Sequence, residues 1–182
     1  MLPATLVIET PRCRLRRVTA ADMPFAFSAT RHPGFCDGMP WDPPVAVEDL
    51  KIPLAKNDGE WQAGTGFVFT IESKDTSTCL GRISLRKVDD CTWTLGFWTH
   101  PDHQGQGYMT EAAIALTRFT FDQLQATEIR ALHAIWNRAS RRVLEKAGFQ
   151  FVEHLPQGFQ KHGQWVPEDL LSLKAPPRPP SS

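Results

Sequence analysis

The sequence predicts a mixed α/β (α+β) fold, a single sheet with helices on its faces, over residues 1–174. Three observations lead there. Several short segments rich in β-branched and aromatic residues alternate in polarity, among them "GFVFTIES" at 66–73 and "CTWTLGFWTH" at 91–100. Other segments carry helix-start and helix-stop signals. Strands come first and then run strand, helix, strand, helix, strand, strand, the order of a sheet covered by helices.

Taken in order, "RCRLRRV" (12–18) reads as a strand. "TAADMPFAFSAT" follows as a helix, with Thr19 as N-cap and Asp22 in the capping-box place. Residues 31–44 hold four prolines and two glycines and read as loop. "VEDLKIPLAK" (47–56) reads as a short helix interrupted at Pro53. After the strand at 66–73, the segments 78–88 and 91–100 read as two strands joined at Asp89-Asp90. A helix is expected from about Gly105 to Leu124 and a strand over 128–136. In "ASRRVLEKAGF", Ala139, Val143, Leu144 and Ala147 share one face and Gly148 stops the helix. "FQFVEHL" and "WVPEDLLSLKA" close the chain as strands. Residues 175–182, "APPRPPSS", read as a proline-rich disordered tail.

Composition narrows the function classes. The 182 residues include 20 Lys+Arg and 20 Asp+Glu, so no net charge favours nucleic acid or an anionic membrane. Cys13, Cys36, Cys79 and Cys91 form no C-x-x-C pair, and the six histidines show no ligand spacing. Reduced cysteines and no metal are therefore expected. No run approaches a membrane span and the first 18 residues lack a signal-peptide pattern, so a soluble, cytoplasmic protein is expected, a monomer or homodimer.

The stretch "HPDHQGQGYMTEA" (100–112) carries the chemistry. Gly105 and Gly107 sit at the mouth of a helix, where unpaired amides and the helix dipole attract anions and a bare backbone permits close approach. Gly105 to Thr110 thus reads as a phosphate or pyrophosphate cradle, or as a glycine turn with no ligand. It is neither a dinucleotide fingerprint, since Thr110 takes the third glycine's place, nor a Walker A loop, since Tyr108 follows Gly107.

"LGFWTHPDHQGQGYMTEA" (95–112) with "NRASRRVLEKAGF" (137–149) resembles the GNAT superfamily of acetyl-CoA-dependent N-acetyltransferases. "IETPRCRLRRVTAAD", "CLGRISL" and "HGQWVPEDLLSL" are similar to its branch of ribosomal-protein N-terminal (serine/alanine) acetyltransferases. The superfamily's Q/R-x-x-G-x-G/A motif has Asp102 in its first place here. The resemblance implies a mostly antiparallel, twisted sheet splayed at its centre, with helices on both faces. It implies acetyl-CoA as cosubstrate and direct attack by a primary amine, either a protein N-terminus or a small molecule. It also implies that Gln104, Gly105, Gln106, Gly107, Tyr108, Met109 and Thr110 cradle the pyrophosphate, and that backbone groups near Trp98, Thr99 and His100 pair with the pantetheine arm.

Asn137 and Ser140 read as helix caps from their positions. The resemblance implies instead that Asn137 contacts the cofactor arm and that Ser140 lies near the departing thiolate. Arg142 is expected to meet a cofactor phosphate, or, with Arg141 and Lys146, to form a solvated face. Glu72 is a candidate base or an ordinary strand-end carboxylate; His133 is a base or a satisfied core histidine. The one tyrosine, Tyr108, falls in the cradle and not near the sulfur. Phe35, Trp41, Trp61, Phe159 and Trp165 either line the acceptor groove or pack the loops down. A second reading is a GNAT-like module that binds an acyl-CoA without turnover.

Overall fold

The computed structural model describes residues 2–177. Eight strands form one sheet in the order β1-β2-β3-β4-β5-β6-β8-β7. β1 (Val7–Glu9), absent from the sequence reading because it has only three residues, pairs antiparallel with β2 (Cys13–Arg17). A 3-10 turn follows, where the Asp22 carboxylate accepts the Thr19 amide at 2.8 Å. It leads into α1 (Met23–Thr30). α2 (Lys51–Ala63) is not interrupted at Pro53. Proline there lies in the first turn, where its missing N–H had no helical partner to lose.

β3 (Gly66–Ser73), β4 (Cys79–Lys87) and β5 (Thr92–Thr99) form an antiparallel meander. α3 (Tyr108–Gln123) then crosses over to β6 (Glu128–Ala134). α4 (Arg138–Lys146) leads to the hairpin of β7 (Gln150–Lys161) and β8 (Gln164–Lys174). β7 extends six residues beyond its expected end at 155. Of the expected tail, Ala175 is still held, its amide donating to the Thr127 carbonyl at 2.9 Å. Residues 178–182 lie outside the described residues.

Helices cover both faces, as side-chain alternation shows. Trp98, Arg82, Thr70 and Arg16 are successive cross-strand partners on one face, where α1 packs Phe25 against Trp98 with ring centroids 5.9 Å apart. Cys13 points to the other face and meets Glu111 of α3. The core joins Leu15, Phe69, Ile83, Leu95, Leu116, Ile129, Leu144 and Leu171.

The feature that positions the site is the β5–β6 pair. It is the sheet's one parallel pair among the described residues, as a helical crossover requires. It lasts only from Thr92↔Glu128 to Thr94↔Arg130. Beyond it the strands diverge, so the sheet is splayed at its centre.

Candidate active site

A cleft of about 1060 Å³ opens at this splay, lined by Leu95–Thr99, Gln104, Gly105, Gly107–Thr110, Leu132–Ala134 and Trp136 with the α4 residues Ser140, Arg142 and Lys146. Residues of the 31–45 loop close one side.

Gly105 and Gly107 both adopt left-handed φ, +76° and +82°, which a Cβ disfavours. The helix therefore begins at Tyr108, three residues later than the sequence suggested. Its first helical amide bond runs from Glu111 to the Gly107 carbonyl at 3.1 Å, leaving the N–H groups of Tyr108, Met109 and Thr110 without helical partners. A Cβ placed on Gly105 would meet nothing within 4 Å. This is bare backbone beside open space, the form of an anion cradle.

Arg12, which the sequence reading passed over, braces the cradle. Its Nη1 donates to the Gln106 carbonyl at 3.1 Å, its Nε to Glu111 at 2.7 Å, and its guanidinium stacks 4.4 Å from the Tyr108 ring centroid. Burial works against the Glu111 charge. Hydrogen bonds from Thr10 and Arg12 outweigh it and hold the carboxyl below its usual range. No local signal marks Arg12, since it reaches the cradle from the β1–β2 turn. Gln106 itself does not line the cleft.

Ladder alternation decides which strand groups face the gap. The His100 amide donates to the Leu80 carbonyl at 2.9 Å. In an antiparallel ladder this turns His100 and Trp98 toward β4, and turns the N–H and C=O of Phe97 and Thr99 toward the splay. Gln104 Nε2 already donates to the Thr99 carbonyl at 3.3 Å. Of the backbone positions expected to hold a cofactor arm, Thr99 faces the gap, while Trp98 and His100 do not, and Phe97 joins it. The His100 ring is buried, stacked on Phe25 at 5.1 Å and bonded to Ser28 at 3.1 Å. Burial pushes its pKa down, against the opposing charge of Asp102.

Asn137 and Ser140 meet as a cap: the Asn137 Oδ1 accepts the Ser140 amide at 3.1 Å. Arg142 and Lys146 line the cleft and make no ion pair among the described residues.

Glu72 is elsewhere. Its carboxylate is held by Arg14 and by Arg16 Nε at 2.6 Å, and it does not line the cleft. Burial would raise its pKa, but bonds from Arg16 and Arg14 win and lower it. A carboxylate locked as an anion between two guanidiniums is no general base, which corrects that expectation. Trp61 is also reassigned. It is 3% exposed and packs edge-on to Phe67 and Phe69 in the core. Phe35 lines the cleft, and Trp41 lies 6.4 Å from it, ring to ring. Lys161, near the tip of the β7–β8 hairpin, ties that hairpin to the loop by donating to the carbonyls of Cys36, Met39 and Trp41.

His133, 4% exposed, is one of three consecutive β6 residues, with Leu132 and Ala134, that line the cleft. Its Nδ1 bonds the Ala134 carbonyl at 2.8 Å, and its buried Nε2 has no partner among the described residues.

No helix among the described residues is long and apolar enough to cross a membrane. Comparison with known proteins agrees with this architecture. Among solved structures, a GNAT-family acetyltransferase from Bacillus anthracis superposes with a TM-score of 0.83 at 21% identity, covering 93% of this chain and 98% of that one. RimL, a ribosomal L7/L12 α-N-protein acetyltransferase in complex with coenzyme A, gives 0.85 at 16% identity over 93% and 98%. At these identities they share the fold. The Bacillus subtilis (strain 168) protein YdaF, provisionally named a ribosomal N-acetyltransferase, is 31% identical over 94 residues. That alignment covers 50% of this chain and about half, 48%, of YdaF. The family model for the acetyltransferase (GNAT) domain matches residues 12–150, spanning the cradle, the splay and α4, and the chain belongs to the GNAT acetyltransferase family.

Proposed function

We propose that this GNAT acetyltransferase carries an acetyl group from acetyl-CoA to a primary amine within a ternary complex, and that the amine is the α-amine of a protein N-terminus in preference to a small molecule. The observation that carries the reading is the splay. It joins an anion cradle at one end to a strand edge with free backbone groups, and an aromatic-walled loop closes its side.

Bound acetyl-CoA supplies an activated thioester; the chain supplies the rest. The Tyr108, Met109 and Thr110 amides hold the pyrophosphate, with Arg142 and Lys146 adding positive charge. Phe97 and Thr99 pair with the pantetheine amides as an added strand would. A free N–H on this edge also offers a donor to the oxyanion that forms at the acetyl carbon. An α-amine, with a pKa of about 7.7–8.0, attacks as the neutral base with far less help than a lysine at about 10.4. RimL, by its description an α-N-protein acetyltransferase, supports that choice of acceptor. The four unpaired cysteines favour a reducing compartment and hence the cytoplasm.

Two observations favour a second reading, a CoA-binding module without turnover: Tyr108 is stacked on Arg12 in the cradle, and Glu72 is outside the cleft. Thiol release from acetyl-CoA in the presence of N-terminal peptides, polyamines, aminoglycosides and amino acids separates the two. Release with peptides carrying a free N-terminus supports the proposal. CoA binding with no release for any amine supports the module.

A further inference from the structure

His133 is the one buried histidine on the β6 wall of the gap, and its hydrogen bonding defines its chemistry. The Ala134 carbonyl 2.8 Å from Nδ1 can only accept, so Nδ1 carries a proton and, in the neutral ring, Nε2 carries the lone pair. That Nε2 is buried and bonds nothing among the described residues, and His133 is one of the residues that line the cleft. Its cross-strand partner Asp169 does not serve it, being engaged by His154 at 2.9 Å and Arg141 at 3.3 Å. A buried acceptor without a partner carries a desolvation cost that folding does not return. Such an atom beside a cleft is the mark of a group that finds its partner in the ligand.

The other titratable groups on the cleft wall fit the acyl-transfer task less well. Tyr108 is fixed in the cradle under Arg12. Arg142 and Lys146 are cations on exposed α4 positions. His32 and His103 lie by the turn that precedes the glycines, away from β6.

We propose that His133 is the proton shuttle of the acetyl transfer, a role that rests on the reading of the cleft given above. As the amine nitrogen bonds to the acetyl carbon, it becomes positively charged and gives a proton to Nε2. As the C–S bond breaks, the imidazolium gives that proton to the sulfur. The ring ends as it began, with no net proton gained or lost. The Nδ1–H bond to the Ala134 carbonyl holds the ring in register and stabilises the transient cation.

Two measurements test this. In NMR of isotope-labelled histidine, Nε2 of His133 is expected to resonate as an unprotonated nitrogen and to shift on adding CoA but not desulfo-CoA. His133→Gln is expected to bind CoA within about threefold of the wild type by calorimetry while kcat falls about 10²- to 10⁴-fold, the range of positioned acid–base help. In His133→Ala, added imidazole is expected to restore part of the turnover. An Nε2 signal indifferent to the thiol, or full turnover in the folded glutamine variant with chemistry rate-limiting, overturns the shuttle alone. Failure of the wild type to bind CoA overturns the reading of the cleft and the shuttle with it.

Discussion

Asn137 is expected to hold two roles at once, and two substitutions separate them. Its Oδ1 accepts the Ser140 amide at 3.1 Å and caps α4. Its Nδ2 donates to nothing among the described residues and lies 3.6 Å from where a Cβ on Gly38 would stand, beside the loop that closes the cleft. Asn137→Ala removes both groups. Loss of the cap costs about 1 kcal/mol, or about 2–4 °C in Tm for a domain of this size. Loss of a hydrogen bond to the pantetheine arm costs about 0.5–1.5 kcal/mol, which raises KM for acetyl-CoA roughly twofold to tenfold. Asn137→Ser keeps a capping oxygen of nearly equal quality but has no amide to reach the cofactor. The serine variant is therefore expected to melt within about 1 °C of the wild type by this capping equivalence and still show the raised KM. Thermal melts without ligand and steady-state kinetics read the two effects independently. If serine restores both Tm and KM, Asn137 is a cap only and its place in the cofactor site is refuted.

Three further outcomes are expected. Gly105→Ala places a Cβ in the open space of the cradle on a left-handed residue, a strain of about 1–2 kcal/mol; calorimetry should show weaker CoA binding, and unchanged affinity would remove the cradle from this account. Ser140→Ala should keep CoA affinity and lower kcat about tenfold to a hundredfold, because a serine at a helix N-terminus is a modest donor to sulfur; full turnover with chemistry rate-limiting makes Ser140 a helix residue and nothing more. Asp22 is 2% exposed and opposed by burial, yet bonds from Arg16, Thr19 and Thr70 bring its pKa from 3.8 down to about 2. Its folded pKa lies below the unfolded one, so its stabilisation is complete above about pH 4 and lost as pH falls toward 2, about 2 kcal/mol in all. Acid unfolding of Asp22→Asn should lack that loss, and a parallel acid profile in both proteins would count against the ion pair.

The elements and the cradle were legible because their signals are local. β-branched and aromatic residues over 66–73 and 92–99 place β3, which is buried on both faces, and β5 whatever surrounds them. The glycine pair followed by a helix-forming run marks an N-terminus with bare amides. Asn137 read correctly as a cap because capping involves only a few neighbouring residues, whereas Ser140 supplies only the amide that is capped. Two local readings failed where position within an element mattered. Pro53 falls in a first turn, where it costs little, and the α3 start lies after both left-handed glycines, not at the first of them.

The partners of polar groups were decided by the tertiary structure. Glu72 looks like a free carboxylate at a strand end until β2 brings Arg14 and Arg16 across from some 56–58 residues away. Arg12 reaches Gln106 across a separation of 94 residues. Which edge of β5 faces the gap depends on one amide bond from His100 to Leu80, and the gap exists because β5 and β6 part after three paired residues. The Nε2 of His133, without a partner among the described residues, is likewise defined by everything there that fails to reach it. The amino-acid sequence by itself determined where helices and strands form and where a helix opens on bare glycine backbone, because those depend on short-range sterics and periodicity. The tertiary structure alone decided which charges are neutralised and which lone pairs stay free, because burial and pairing depend on segments distant in sequence.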